Sequence, residues 1–273
     1  MRSCPTSYRD ALHRAKAAVI VTPSNLLRGV ARVLSDVVDD QFPIVICSKG
    51  VEAESGYLPV GVFESELGNR DRLAVLSGPN HAEEVIKAKP AGTVIASSGQ
   101  DTAVMFRDLF ASPTFRTYTS DDVTGVELCA AFKNVIAIAA GLSDGLGFGL
   151  NARAALVTRG LAETSRLGVA LGARASTFMG LSGLGDLMLT CSGDLSRNRQ
   201  VGLRLGAGES LEGIASSMCM VAEGVKTTSA VYDLARRLGV ETPVTDTVQG
   251  LLHGGESPRE AVMRLMTRTL RQE

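Results

Sequence analysis

A chain of 273 residues can bury a sizeable core and divides most naturally into two domains. A formal net charge of −1 and the lack of tryptophan argue against a general nucleic-acid or polyanion binder, which needs a basic surface and rings for stacking. Three scattered histidines (His13, His81 and His253) and an odd set of five cysteines without CxxC spacing argue against a metal site or a disulfide framework, so the thiols read as reduced and the protein as cytoplasmic.

Tyr8–Ala15 reads as the end of a short amphipathic helix. The apolar run Ala17–Val21, closed by Thr22-Pro23-Ser24, fits a strand buried on both faces. Asn25–Val38 carries Leu26, Leu27, Val30, Val33, Leu34 and Val37 at helical spacing. Pro43–Cys47 and Leu73–Leu76 read as further buried strands, closed by Ser48-Lys49-Gly50 and Ser77-Gly78-Pro79. Ala82–Ala88 is an expected helix, Thr93–Ala96 a strand, Thr102–Leu109 a helix and Phe115–Thr119 a short strand. Strand, helix and strand repeated in this way predict a parallel sheet, whose ligands lie beyond the carboxyl ends of the strands. Those ends carry small polar residues that let a ligand approach the backbone, although such residues also form ordinary turns.

After Asp122 helical patterns take over, which places a domain boundary there: an α/β domain over residues 1–122 and an all-helical domain over 123–273. Glu127–Leu142 is apolar or small at nearly every position, and Gly141 offers a stop. Such a helix belongs in an interior, and it is too short for a convincing membrane span. Its Lys133 has two readings. It snorkels out at a helix edge, or it is buried, which lowers its pKa toward the range where an amine trades protons. Further helices are expected at Asn151–Gly168, Arg174–Met179, around Asn198–Leu205, and at Leu211–Ser217, Thr227–Leu238, Thr245–His253 and Ser257–Met266.

Three more stretches bear chemistry. Gly180–Asp186 is a glycine-punctuated turn ending in a carboxylate, which either meets a ligand or caps a helix. Ser196-Arg197-Asn198-Arg199 opens a helix and is either an anion site suited to phosphate or a solvated basic turn. Glu223, in Val221-Ala-Glu-Gly224, either orients a cofactor ribose or amide or lies on the surface. A G-x-G-x-x-G turn between a strand and a helix is absent, and Gly145–Gly149 follows a helix and reads as a loop.

Taken in order, Ser77–Val85, Gly125–Asn134, Asn151–Leu156, Gly183–Asp186, Ser196–Arg199 and Val221–Val225 closely resemble the NAD(P)-dependent sn-glycerol-3-phosphate dehydrogenases of the bacterial type. The resemblance runs from about Tyr8 to the C-terminus, and six ordered motifs make it specific. It implies a Rossmann domain followed by an all-helical one, and NAD(P)H as cofactor. It implies dihydroxyacetone phosphate and glycerol 3-phosphate as substrates, and a product that feeds phospholipid synthesis. It allows a homodimer and calls for no metal, nucleic acid or membrane span. Carried over by motif, Lys133 is the proton acceptor. Lys49, Gly78, Asn80, Asp186, Ser196, Arg197 and Asn198 join Lys133 at the substrate. Lys49, Ala82, Arg197, Val221 and Glu223 face the cofactor.

Two departures stand out. Asn80-His81 replaces the family's usual Ser-Phe. Roughly 60 residues, about two strand–helix units, are absent at the front, so a partial Rossmann domain without its first strand and glycine-rich turn is expected. That gap supports a second reading, a catalytically impaired remnant acting as a helical binding or oligomerisation module. A third reading is another hydroxyacid dehydrogenase of the superfamily, against which Ser196–Arg199 speaks.

Overall fold

The computed structural model describes residues 7–218 and 223–266. Helix α1 (Tyr8–Leu12) leads into β1 (Ala18–Ile20), α2 (Leu27–Ser35), β2 (Ile44–Ile46), α3 (Pro59–Leu67), β3 (Leu73–Ser77), α4 (Ala82–Val85), β4 (Ala91–Ala96), α5 (Gln100–Phe110) and β5 (Phe115–Ser120). The strands form one sheet in the order β1-β2-β3-β4-β5. Side chains alternate between its faces. Ile44, Ile46, Leu73 and Val75 pack with α2 and α3 residues such as Leu34 and Phe63, while Val45, Ala74 and Leu76 pack with Phe106 of α5.

Three features differ from the sequence expectations. The sheet is parallel-dominated but mixed: β3 and β4 run antiparallel. A parallel return needs a crossover that runs back along the sheet, and the four-residue α4 is too short for one. The open ends of β1, β2 and β3 therefore lie together, and β4 points the other way. Second, β1 is an edge strand and not buried on both faces; Val19 and Val21 are 45% and 73% exposed. Third, α3 lies where no helix is expected. Pro59 starts it, and Val60, Phe63 and Leu67 fall at i, i+3 and i+7, a helical spacing confined to nine residues.

The helical half comprises α6 (Val123–Gly145), α7 (Gly149–Ala170), α8 (Ala175–Phe178), a π-helical turn Leu181–Gly185, α9 (Asp186–Ser192), α10 (Arg197–Gly206), α11 (Leu211–Ser217), α12 (Glu223–Leu238), α13 (Pro243–His253) and α14 (Pro258–Met266). Helix α6 is buried without a break from Val126 to Ser143, and the rest pack around it. By length and a mean hydropathy of 1.5 it could cross a membrane, but 94% of its most apolar window is buried inside the protein, as in a core helix. It does not stop at Gly141. It continues to Gly145, because α10 crosses it there backbone to backbone. A Cβ at Gly141 would lie 2.0 Å from the Arg199 carbonyl oxygen, and one at Gly202 1.9 Å from that of Ile138.

Two buried glutamates join elements across the interior. Glu127 of α6 accepts a 2.7 Å hydrogen bond from the backbone N–H of Val60, in the first turn of α3. Glu163 of α7 accepts from the N–H groups of Val244 and Thr245 at the start of α13 and from the Thr245 hydroxyl. Each satisfies helix-start donors that no local cap reaches. Burial pushes Glu127 up to about 8 from an ordinary 4.5, against the opposing pull of the Val60 N–H and Arg70. A carboxyl group with a raised folded pKa contributes most at low pH and loses that contribution as pH rises toward the folded value. Relative to Glu127→Gln, the wild-type chain should therefore lose roughly 1 kcal/mol of stability per pH unit between about pH 5 and pH 8. Urea midpoints of both proteins across that range measure it, and parallel curves would refute it.

Candidate functional site

Beyond the β1–β3 ends and beneath the helical half lies a cleft of about 250 Å³. Lys49, Asn80, Ala82, Lys133, Asp186, Ser196, Arg197, Asn198 and Glu223 line it. Lys49 follows β2, and Asn80 and Ala82 come from the β3–α4 junction. Lys133 lies mid-α6, Asp186 opens α9, Ser196–Asn198 open α10 and Glu223 opens α12. Val221 lies outside the described residues. Gly78 does not line the cleft. It sits beside β4, where a Cβ would come within 2.8 Å of the Gly92 carbonyl oxygen and of Thr93 Cα, so the residue permits close strand approach.

The chemistry centres on Lys133. It is 7% exposed and does not snorkel: its Nζ donates to Asp186 Oδ1 at 2.5 Å. Asp186 is not a helix cap. It is the first residue of α9, with Gly185 in the cap position, and its carboxylate turns inward. Its other oxygen, Oδ2, has no hydrogen-bond partner and faces Lys49 Nζ at 3.6 Å. The Thr190 hydroxyl, one helical turn on, donates to the Asp186 carbonyl at 2.6 Å and lies 3.3 Å from Oδ1. One carboxylate thus stands between two ammonium groups and can balance only one of them. Burial first, and then Lys49, lower the Lys133 pKa, against the pull of Asp186. For Asp186 burial works upward, but Lys49 and Lys133 outweigh it and hold the group ionised. The result is an amine able to exchange a proton near neutral pH beside a fixed negative charge.

A rigid frame holds the start of α10 over this pair. Ser196 caps the helix, accepting from the Arg199 N–H at 3.2 Å. Arg199 is buried and donates from Nη2 to Asp144 Oδ2, near the end of α6, at 2.7 Å, and from Nη1 to Asp194 at 3.1 Å. Asn198 Oδ1 accepts from the Gly224 N–H at 2.9 Å, tying α10 to α12. A Cβ at Gly224 would meet Asn198 Oδ1 at 2.6 Å, so only glycine fits between these helix starts. Within this stretch Ser196, Asn198 and Arg199 are buried, and Arg197 is exposed. Asn80 is oriented by a 3.0 Å bond from Nδ2 to Thr93 Oγ1.

A second polar region lies at the β1 and β2 ends. The Ser24 N–H bonds the Glu223 carboxylate, whose pKa burial raises despite Arg197 and Lys49. Gly50, at φ +142°, lies between Ser24 and α12, where a Cβ would sit 3.1 Å from Ser24 Oγ and 3.6 Å from Thr227 Oγ1. The hydroxyls of Thr22 and Ser77, at the ends of β1 and β3, are buried without partners. Orphaned donors at the open strand ends fit the ribose and nicotinamide end of a dinucleotide.

Two family models cover nearly the whole chain. The NAD-dependent glycerol-3-phosphate dehydrogenase N-terminus matches residues 4–103, and the C-terminus of the same enzymes matches residues 122–263. The chain belongs to the NAD-dependent glycerol-3-phosphate dehydrogenase family. A member from Nitratidesulfovibrio vulgaris strain DP4, named glycerol-3-phosphate dehydrogenase (NAD(P)+), is 56% identical over 266 residues, 97% of this chain and 80% of that one. A relative of the same name from Lawsonia intracellularis is 53% identical over 95% of this chain and 74% of its own. Among solved structures, the glycerol-3-phosphate dehydrogenase of Coxiella burnetii superposes with a TM-score of 0.92 at 37% identity, over 96% of this chain and 80% of that one.

Within this family fold, the cleft also gathers residues to which motif reading assigned no role. They are His81, Glu83, Asn134, Thr190 and Leu195. Thr190 stands one turn after Asp186, so helical spacing alone places it beside the pair.

Proposed function

We propose that this chain catalyses reversible hydride transfer between NAD(P)H and dihydroxyacetone phosphate, giving sn-glycerol 3-phosphate for phospholipid synthesis in the cytoplasm. The observation that carries this reading is the buried Lys133–Asp186 pair, with the half-buried Lys49 beside it, in the cleft under the start of α10. Bound nicotinamide supplies the hydride. Lys49, Ala82, Arg197 and Glu223 are the residues that would hold it, with Val221 adjoining them in sequence.

In the reduction direction the Lys133 ammonium gives its proton to the C2 oxygen. In the oxidation direction the neutral amine takes it back. Asp186 stays ionised throughout, fixes the Lys133 side chain and stabilises its charged form. Lys49 adds positive charge beside the developing alkoxide and keeps the Lys133 amine accessible at lower pH. Ser196, Arg197 and Asn198 hold the phosphate with charge-assisted bonds from a helix start. Asn80 supplies a further polar contact. Burial of Lys133 and Asp186 excludes water from the proton transfer, which strengthens each of these interactions.

The test is to purify the chain and follow reduced-nicotinamide absorbance with dihydroxyacetone phosphate, using NADH and NADPH in turn. Substrate-dependent oxidation of either cofactor is expected. A folded chain that binds neither cofactor and shows no turnover would instead fit the remnant reading, which none of the comparisons favours.

A further inference from the structure

His81 is the cleft residue whose chemistry the reaction above leaves unused. Its backbone is fixed: the carbonyl accepts from the N–H groups of Glu84 and Val85, and the neighbouring Asn80 is tied to Thr93. Its side chain is not. The ring lines the cleft, but Nε2 is buried with no hydrogen-bond partner. It faces the turn at Gly193, where a Cβ would lie 3.8 Å away. That turn leads directly into Ser196 and Arg197. An unpartnered buried ring nitrogen is costly, and such a group in a native fold takes a water, an ion or a ligand as its partner. The charged groups around the ring are Lys133 from α6, Asp186 from α9, Glu83 from α4 and Lys49 after β2. Burial and then Lys133 lower the imidazole pKa, so the ring is neutral in the free cleft.

We propose that His81 is a substrate-binding residue that turns into the cleft and donates from Nε2 to the phosphate of dihydroxyacetone phosphate or glycerol 3-phosphate. The inference rests on the proposed function for its substrate. Turning the ring breaks no hydrogen bond, because Nε2 has none, and rotamer changes of this kind are fast. The cleft already concentrates cations, and a phosphate dianion entering it reverses the local field. With the dianion beside it the imidazole takes up a proton from solvent and becomes a charged donor. Binding of the phosphate end is thereby linked to proton uptake at His81 as well as to the fixed charge of Arg197.

Three variants test this. His81→Phe keeps a ring and removes both nitrogens. His81→Gln places an amide donor near the position of Nε2, and His81→Asn places one near Nδ1. KM for dihydroxyacetone phosphate should rise by about tenfold or more in H81F, the worth of a hydrogen bond to a charged group, and by a larger factor than kcat falls. H81Q should recover most of the affinity, and H81N should not. The ratio of KM in H81F to KM in the wild type cancels the ionisation of the substrate itself. It should be larger near pH 6 than near pH 8.5, because the imidazolium forms more readily at low pH. A wild-type KM in H81F, an H81Q as impaired as H81F, or a ratio independent of pH would each overturn the proposal. If H81F fails to fold, the contrast between H81Q and H81N decides. If the wild-type chain shows no turnover, the proposed function fails instead, and calorimetric dissociation constants for glycerol 3-phosphate across the same variants still test His81.

Discussion

Replacing Lys133 by methionine is expected to lower kcat for dihydroxyacetone phosphate reduction by about a thousandfold, within the range that general acid–base groups contribute. Methionine fills a similar volume without a proton to give, so the fold should survive and cofactor binding should persist. Asp186 then keeps only Lys49, at 3.6 Å, as its counter-charge. Lys133→Arg separates charge from proton exchange. It restores a cation beside Asp186, but a guanidinium does not deprotonate at working pH, so activity should remain low. The pH profile of the wild type supplies the sign. Burial and Lys49 pull the Lys133 pKa below its ordinary 10.5. Oxidation of glycerol 3-phosphate needs the neutral amine and should rise with pH through the lowered pKa. Reduction needs the ammonium and should fall through the same value. Steady-state rates in both directions test this, and a K133M protein with more than a tenth of wild-type kcat would remove Lys133 from the proton transfer.

Gly202→Ala should destabilise the fold by about 3 kcal/mol or more, because the added methyl meets backbone and not a side chain that can move aside. Helices α6 and α10 each carry two glycines one turn apart, Gly141 with Gly145 and Gly202 with Gly206, and these faces meet. Cβ atoms would lie 1.9 Å from the Ile138 oxygen at Gly202, 2.7 Å from the Leu142 oxygen at Gly206 and 2.3 Å from the Leu203 oxygen at Gly145. The small faces let the backbones touch, and that contact sets the distance from Lys133 to Ser196, Arg197 and Asn198. The G202A chain that remains folded should therefore also bind substrate more weakly. Gly29→Ala is the control. Gly29 is exposed within α2 with no atom within 4 Å of an added Cβ, and its replacement should stabilise by about 0.5–1 kcal/mol. Urea unfolding of both variants tests the contrast, and equal midpoints would show that the helices part without cost.

Much of the framework was legible because it is written in local periodicity. The apolar runs at Ala17–Val21 and Pro43–Cys47 contain β1 and β2, Leu73–Leu76 is all of β3 but its last residue, and the nearly unbroken apolarity after Glu127 belongs to the most buried helix. The polar closures of those strands line one end of the sheet, as the strand-end rule requires. Local signals failed where a partner distant in sequence decides. Gly141 has the composition of a helix stop, but the α10 backbone needs its missing side chain and the helix runs on. Val19 belongs to a buried-strand pattern yet lies at an edge. Helix α3 is only nine residues long and packs against both the sheet and α2. Its start is held in part by Glu127, a residue 67 positions away.

The same division runs through the site. By itself the sequence determined that a lysine lies in an apolar helix, that a glycine turn ends in Asp186, that Ser196–Asn198 open a helix, and in what order these motifs come. Only the tertiary structure decided that Lys133 points inward, that Asp186 is its partner and not a helix cap, and that Lys49 completes the group. It also decided that the Nε2 of His81 is buried beside Gly193 without a hydrogen-bond partner. The reason is physical. Helical and strand periods are set within a few residues, whereas Lys133 and Asp186 are 53 residues apart and meet only because glycine contacts, a buried ion pair and capped helix starts bring their helices together.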